Sequence, residues 1–245
     1  MSDPAAFAPG AAPRVELLRV GRDRHPVLIL DGLLTGAETL VDFAAETAVL
    51  APVKAAVNFY PGVRAPAPPG YVQALVTALR PYLAETFGIA PGGKAHITCA
   101  LSMATLPADQ ATFAQRLPHI DTTSPIQLAI LHYLCGPPHG GTAFYRHRAT
   151  GFEAVAPDRA QTYLAALREE MAAEEKRDHS PDQEGYVVAS NALFEQTAVV
   201  APAFNRIVVY ASNLLHAGVL PDRPASADPR HGRLTANTFF RPEIA

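Results

Sequence analysis

The chain has 245 residues, 49% of them apolar and 18% charged, with a formal net charge of -3. That length suits one large domain or two small ones, and the apolar fraction excludes disorder over most of it. The lack of a basic excess argues against a dedicated nucleic-acid binder, and two cysteines, Cys99 and Cys135, cannot supply a disulfide framework or a Cys-rich zinc module.

Residues 1–13 are rich in Ala, Pro and Gly and are expected to form a flexible tail ahead of a single domain over 14–245. The tail lacks the basic and apolar regions of a secretory signal, and no run of about 18 apolar residues occurs. A cytoplasmic protein without a membrane span is therefore expected. Residues 26–31 read as a short buried strand. Residues 35–49 read as a helix, with Thr35 as its cap, Glu38 three residues on, and Leu40, Phe43, Ala44 and Thr47 on one face. A Pro-rich loop over 58–69 leads to a helix over 71–87, striped by Leu75, Leu79, Leu83 and Phe87. Pro81 is expected to kink that helix and Gly88 to end it. Residues 14–94 thus read as a helical N-terminal flank.

From about residue 95 the hydrophobic period shortens. Strands are predicted over 126–134, 142–147, 185–189, 197–200, 206–211 and 233–240, segments rich in Val, Ile, Tyr, Phe and Thr between Gly and Pro turns. An inserted helix over 157–177 interrupts them with a polar outer face. The pattern predicts a mainly β core, a sandwich or jelly roll, with flanking helices.

Gly88 to Lys94 has the spacing of a phosphate-binding loop. However, Ala95 replaces the magnesium-binding hydroxyl and the segment follows a helix, so it is read as a helix stop and turn. The nine histidines are the count that leans towards chemistry, because imidazole is the usual ligand of iron, zinc and copper. Pro118-His119-Ile120-Asp121 sets an imidazole and a carboxylate two residues apart, on one face of an extended strand. Far along the chain, His216-Ala217-Gly218 ends a strongly apolar stretch. His119, Asp121 and His216 make a two-His, one-carboxylate set that suits iron(II) and leaves positions open for O2 and a co-substrate. Arg233 enters a run otherwise free of charge until Arg241, and its planar fork matches the carboxylate of a dicarboxylic co-substrate.

These motifs, with Leu131-His132-Tyr133-Leu134, Gly140-Gly141-Thr142 and Gly232-Arg233-Leu234, carry a resemblance. Over about residues 95–241 the sequence resembles the 2-oxoglutarate- and iron(II)-dependent oxygenase superfamily, in the branch similar to prolyl hydroxylases, and within it a bacterial group. The resemblance implies a double-stranded β-helix, a distorted, cupin-like jelly roll. It implies His119, Asp121 and His216 as iron(II) ligands and Arg233 as the partner of the 2-oxoglutarate side-chain carboxylate, with Tyr133 as a further contact. The implied reaction consumes 2-oxoglutarate and O2, releases succinate and CO2, and hydroxylates a small-molecule, amino-acid or peptide substrate. Residues 101–117 lack the tyrosine that many relatives place near the co-substrate.

Strand parity adds detail. Only one of His132 and Tyr133 can face the barrel interior, and Tyr133 is expected there. Thr235 and Asn237 share the face of Arg233 and are candidate pocket residues, Thr235 beside the co-substrate. Arg146, His147 and Arg148 lie near the expected barrel mouth and read first as a solvated strand end, second as groups that attract an acidic substrate; the segment from Asn58 to Arg64 is a further mouth candidate. Two other readings use the same residues: a barrel that binds a small molecule or metal without turnover, and a zinc hydrolase on His119, Asp121 and His216.

Overall fold

The computed structural model describes residues 6–53, 60–90, 92–174, 185–224 and 226–243. Among these, the elements in chain order are β1 (Arg14–Val20), β2 (His25–Asp31), α1 (Ala37–Glu46), β3 (Ala51–Pro52), β4 (Gly62–Pro66), α2 (Pro69–Phe87), β5 (Ala95–Ala104) and α3 (Phe113–Arg116). They continue as β6 (Leu128–Tyr133), β7 (Thr142–His147), α4 (Pro157–Glu174), β8 (Phe194–Val200), β9 (Arg206–Ala211), β10 (His216–Gly218) and β11 (Leu234–Pro242). One sheet runs β1-β2-β9-β6-β11-β5-β4-β3 and a smaller one β10-β7-β8. The pairings are antiparallel throughout.

Period-two alternation sorts the large sheet's side chains into two layers. On one face Leu28, Leu30, Leu128, Ile130, Val209, Ala236 and Phe240 pack with Leu40 of α1 and Leu75, Leu79 and Leu83 of α2. On the other, Val27, Ile29, Ala129, Leu131, Tyr133, Val208 and Tyr210 meet Phe144 and Val200 of the small sheet. The far side of the small sheet, through Ala143, Tyr145 and Phe194, is covered by Tyr163 of α4. The chain is therefore a mainly β double-stranded β-helix with flanking helices, as the sequence predicts. No helix among the described residues is long and apolar enough to cross a membrane.

The N-terminal region departs from expectation. Residues 14–94 supply four strands to the large sheet as well as two helices. Their signal is weak because β1 is an edge strand with Val15 and Leu17 exposed, and β3 and β4 are short. The expected tail is also pinned from residue 6, its first five residues lying outside the described ones. Phe7 is buried edge-on against the ring of Tyr71 at 5.5 Å, and the Gly10 and Thr35 amides donate to the Leu33 and Ala8 carbonyls. Thr35 is thereby engaged with the tail, so it does not cap α1. Gly36 takes that place at φ 76°, where an added Cβ would lie 2.0 Å from the Ala6 carbonyl oxygen.

α2 includes Pro81, runs to Phe87 and stops, as expected, at left-handed Gly88. One smaller difference follows. Residues 185–189 are not a strand; single bonds hold them, with Val187 N donating to Arg116 O and Tyr145 Oη to Val187 O. The last three residues of the expected 157–177 helix lie outside the described ones.

His132 faces the helices, bonded through Nδ1 to the Tyr71 hydroxyl (2.9 Å) and through Nε2 to Asn205 Oδ1 (3.0 Å). Burial pushes this imidazole from its ordinary 6.5 down to about 4, against the Asn205 bond. The unfolded chain takes up this proton near pH 6.5 and the folded chain only near 4. The neutral ring's contribution is therefore full above the higher value and lost as pH falls towards the lower. His132→Gln should flatten that acid limb by about 3 kcal/mol in urea unfolding followed across pH. An unchanged slope would refute the assignment.

Candidate metal centre and its cavity

His119 and Asp121 lie on the extended segment after α3, which Thr112 and Gln115 close with reciprocal capping bonds. His119 and His216 exchange backbone N–H···O bonds in both directions, each 2.9 Å, and Asp121 N donates to Ser212 O at 2.9 Å. β10 in turn pairs with β7, His216 opposite Phe144, while Leu215 N donates to Glu153 O. The buried Glu153 carboxylate accepts the Arg22 (2.8 Å) and Asp23 (3.1 Å) amides, tying the β1–β2 turn to the same frame. This explains why Asp23, His25 and Glu153, though clustered, read as a turn clamp.

The frame brings the predicted triad together. His216 Nε2 is 3.7 Å from Asp121 Oδ2, His119 Nε2 is 4.0 Å from Asp121 Oδ1, and the two rings are 4.6 Å apart. One donor atom from each lies within 4.8 Å of the others. These separations exceed hydrogen-bond length, so three lone-pair donors converge without satisfying one another. His216 Nδ1 donates to Leu214 O at 2.8 Å, which leaves its Nε2 as a lone-pair donor. Burial pushes His216 down to about 4. Burial also lowers His119, with His216 acting in the same direction, although its side chain is 50% exposed into the cavity. Burial raises the Asp121 carboxyl to about 6, with His119 and Arg64 pulling the other way. Two neutral imidazoles and one carboxylate fit a divalent first-row metal.

The triad opens into a cavity of about 470 Å³, within the range of about 300–1,000 Å³ for small-molecule sites. Arg233 lies in its wall, 7% exposed. Its Nε and Nη2 donate to the Gly140 (3.3 Å) and Gly141 (3.1 Å) carbonyls, and its guanidinium lies over the Tyr133 ring at 5.8 Å. Gly140 must be glycine for this: a Cβ there would lie 1.6 Å from Val219 O. Among the described residues no carboxylate pairs with Arg233. A buried cation held only by carbonyls is a receptor for an anion.

The other predicted residues divide. Tyr133 faces the interior, as parity predicts, but it is fully buried behind the cavity wall and bonds the Thr142 hydroxyl at 2.6 Å; Thr142 is the residue that lines the wall. Thr235 lies equally deep, donating to Ser102 O. Asn237 does reach the cavity, with its buried Oδ1 unpartnered. The mouth expected at 146–148 is elsewhere. Arg146 pairs with Glu195 across β7–β8, His147 with Glu170 of α4 (2.7 Å), and Arg148 with Asn191 O. Asn58 and Phe59 lie outside the described residues, whereas Tyr60 and Arg64 line the cavity. Tyr210, edge-on to His216 at 4.8 Å, was not foreseen; its parity with Val208 was the available signal.

Residues 11–240 match the model of a family described as "Family of unknown function (DUF6445)". The chain belongs to this family. No curated protein matches it. Among solved structures the DUF6445 chain is similar to HygX from Streptomyces hygroscopicus, solved with nickel and 2-oxoglutarate bound. The identity is 12%, the TM-score 0.50, and 91% of this chain and 85% of that chain are covered. It is also similar to an N-substituted L-amino acid dioxygenase from Burkholderia ambifaria AMMD (11% identity, TM-score 0.43, 95% and 98% covered). A third is EctD from S. alaskensis with bound Fe (16%, 0.37, 96% and 83%). At 12% identity the likeness to HygX is one of fold.

Proposed function

We propose that this DUF6445 protein is a cytoplasmic 2-oxoglutarate- and iron(II)-dependent oxygenase that hydroxylates a small substrate, nearest in motif order to the prolyl-hydroxylase-like branch. One observation carries the reading: three mutually unsatisfied candidate metal donors and a buried guanidinium with no carboxylate partner among the described residues face one cavity. Iron(II) would be held by Nε2 of His119, Nε2 of His216 and the Asp121 carboxylate. When bound, it supplies the redox chemistry that couples O2 to 2-oxoglutarate decarboxylation and substrate oxidation.

The chain's own residues do the rest. Arg233 binds the far carboxylate of 2-oxoglutarate, its fork aimed by the Gly140 and Gly141 carbonyls and backed by Tyr133. Thr142 presents a hydroxyl to the same region, fixed by Tyr133. Tyr210 and Leu131 wall the metal side and exclude water. The balance is one 2-oxoglutarate, one O2 and one substrate C–H giving succinate, CO2 and a substrate hydroxyl.

The test is anaerobic reconstitution of the metal-free protein with iron(II), followed by 2-oxoglutarate and air. Succinate should form in step with 2-oxoglutarate loss, and zinc in place of iron should give none. Absence of both 2-oxoglutarate binding and succinate would sink the proposal.

A further inference from the structure

A second guanidinium faces the same cavity. Arg64 on β4 pairs with Ser102 on β5, Ser102 with Thr235 on β11, and Thr235 with Tyr133 on β6, so these side chains form one cross-strand row on the interior face. Arg233 lies on the same face, two residues before Thr235. The pleat therefore separates the two arginines by two strand spacings, roughly 10 Å, and by one same-face step along the strands. Their guanidinium groups are anchored on different partners, Arg64 on Ser102 and Arg233 on the Gly140 and Gly141 carbonyls.

Arg64 is held for a task its own contacts do not complete. Its Nε donates to Ser102 Oγ at 2.9 Å, and its guanidinium carbon sits 5.5 Å from the centre of the Tyr60 ring. Among the described residues no carboxylate lies within ion-pair distance of it. Burial lowers its pKa, and the groups whose charge opposes this are Tyr60, Cys99 and, as the one carboxylate, Asp121, a metal ligand in the oxygenase reading. Arg116 also lines the cavity, but it lies over Phe113 and has partners of its own. The fork of Arg64 thus has one edge fixed and the other turned to the cavity, over a wall of Ile120, Ala129, Leu131, Tyr210 and Phe239.

Charge decides what completes it. Iron(II) and Arg233 are balanced by Asp121 and doubly charged 2-oxoglutarate, so none of these anions is left over for Arg64. A desolvated guanidinium is stabilised by a carboxylate in bidentate contact and poorly by a neutral group. We propose that Arg64 receives the carboxylate of the oxidised substrate, which is a monoanionic acid with an apolar body lying against that wall. This rests on the oxygenase reading for the charge carried by metal and co-substrate. Asn237, diagonal to Arg64 on the same face, offers its unpartnered Oδ1 to a donor on the substrate.

The experiment uses the full chain, loaded anaerobically with iron(II) and 2-oxoglutarate. It is titrated by calorimetry with monocarboxylates from propionate to phenylpropionate and with their primary amides. At least one acid should bind roughly tenfold tighter than its own amide. Arg64→Met should remove that preference. Arg64→Lys, which keeps the charge without the fork, should retain part of it and serves if the methionine variant does not fold. No acid preferred over its amide, or a preference that survives Arg64→Met, overturns the proposal. If 2-oxoglutarate fails to bind the wild-type iron(II) protein, the oxygenase reading falls instead. The acid–amide comparison without 2-oxoglutarate then judges Arg64 by itself.

Discussion

Asp121→Ala is expected to abolish iron retention and succinate formation together while the fold survives. Changes to groups that merely orient metal ligands already lower affinity about 10–100-fold, so loss of a ligand should exceed roughly a hundredfold. The fold survives because the strand that carries Asp121 is fixed by backbone bonds to His216 and Ser212, which the substitution leaves intact. Neither imidazole is within hydrogen-bond distance of the carboxylate in the metal-free site, so its removal orphans no partner. Iron content after anaerobic reconstitution, succinate by chromatography and thermal midpoint check this. A variant that keeps its iron and its turnover would show that the triad is not the metal site.

Arg233→Met should separate co-substrate from metal. Truncating one partner of a buried, hydrogen-bonded charge pair costs about 2–5 kcal/mol, so the dissociation constant for 2-oxoglutarate should rise on the order of a hundredfold or more. Iron affinity should stay within a few-fold, because Arg233 does not touch the triad's donors. Arg233→Lys should recover little, since a single ammonium cannot reproduce a fork that donates to two carbonyls and stacks on Tyr133. Calorimetric titration of the iron(II) protein with 2-oxoglutarate, and with succinate as a comparison, measures both effects. Equal affinity in wild type and variant would remove Arg233 from the co-substrate site.

The parts of this molecule that are legible in its sequence are those written locally. The H-x-D spacing, His216 before a glycine turn and the Gly140-Gly141 pair each declare a geometry within a few residues; His119, Asp121 and His216 meet at one cavity, and the glycine carbonyls hold Arg233 in its wall. The core strands β6, β7, β9 and β11 announce themselves by apolar, β-branched runs. β1, β3 and β4 do not, because an edge strand with exposed Val15 and Leu17 shows no buried stripe and the others are too short for a period. Residues 146–148 lie away from the cavity for a clear reason. β7 lies beside His216 only at its Thr142–Phe144 end, and sequence order does not say which end of a strand meets the metal. Likewise the nearness of Arg64 to the triad depends on cross-strand register between distant segments, which no local pattern encodes.

The reciprocal bonds between His119 and His216 also bear on biosynthesis. While the chain is being made, the H-x-D motif emerges long before the strand that will hold it, so it has one imidazole, one carboxylate and no fixed geometry. The frame closes only when β10 docks on β7, and Arg233 takes its place only when β11 inserts between β5 and β6. Such non-local pairings form late and slowly. In the proposed reading the complete ligand set is therefore assembled only with the barrel, and the nascent chain offers at most a partial one.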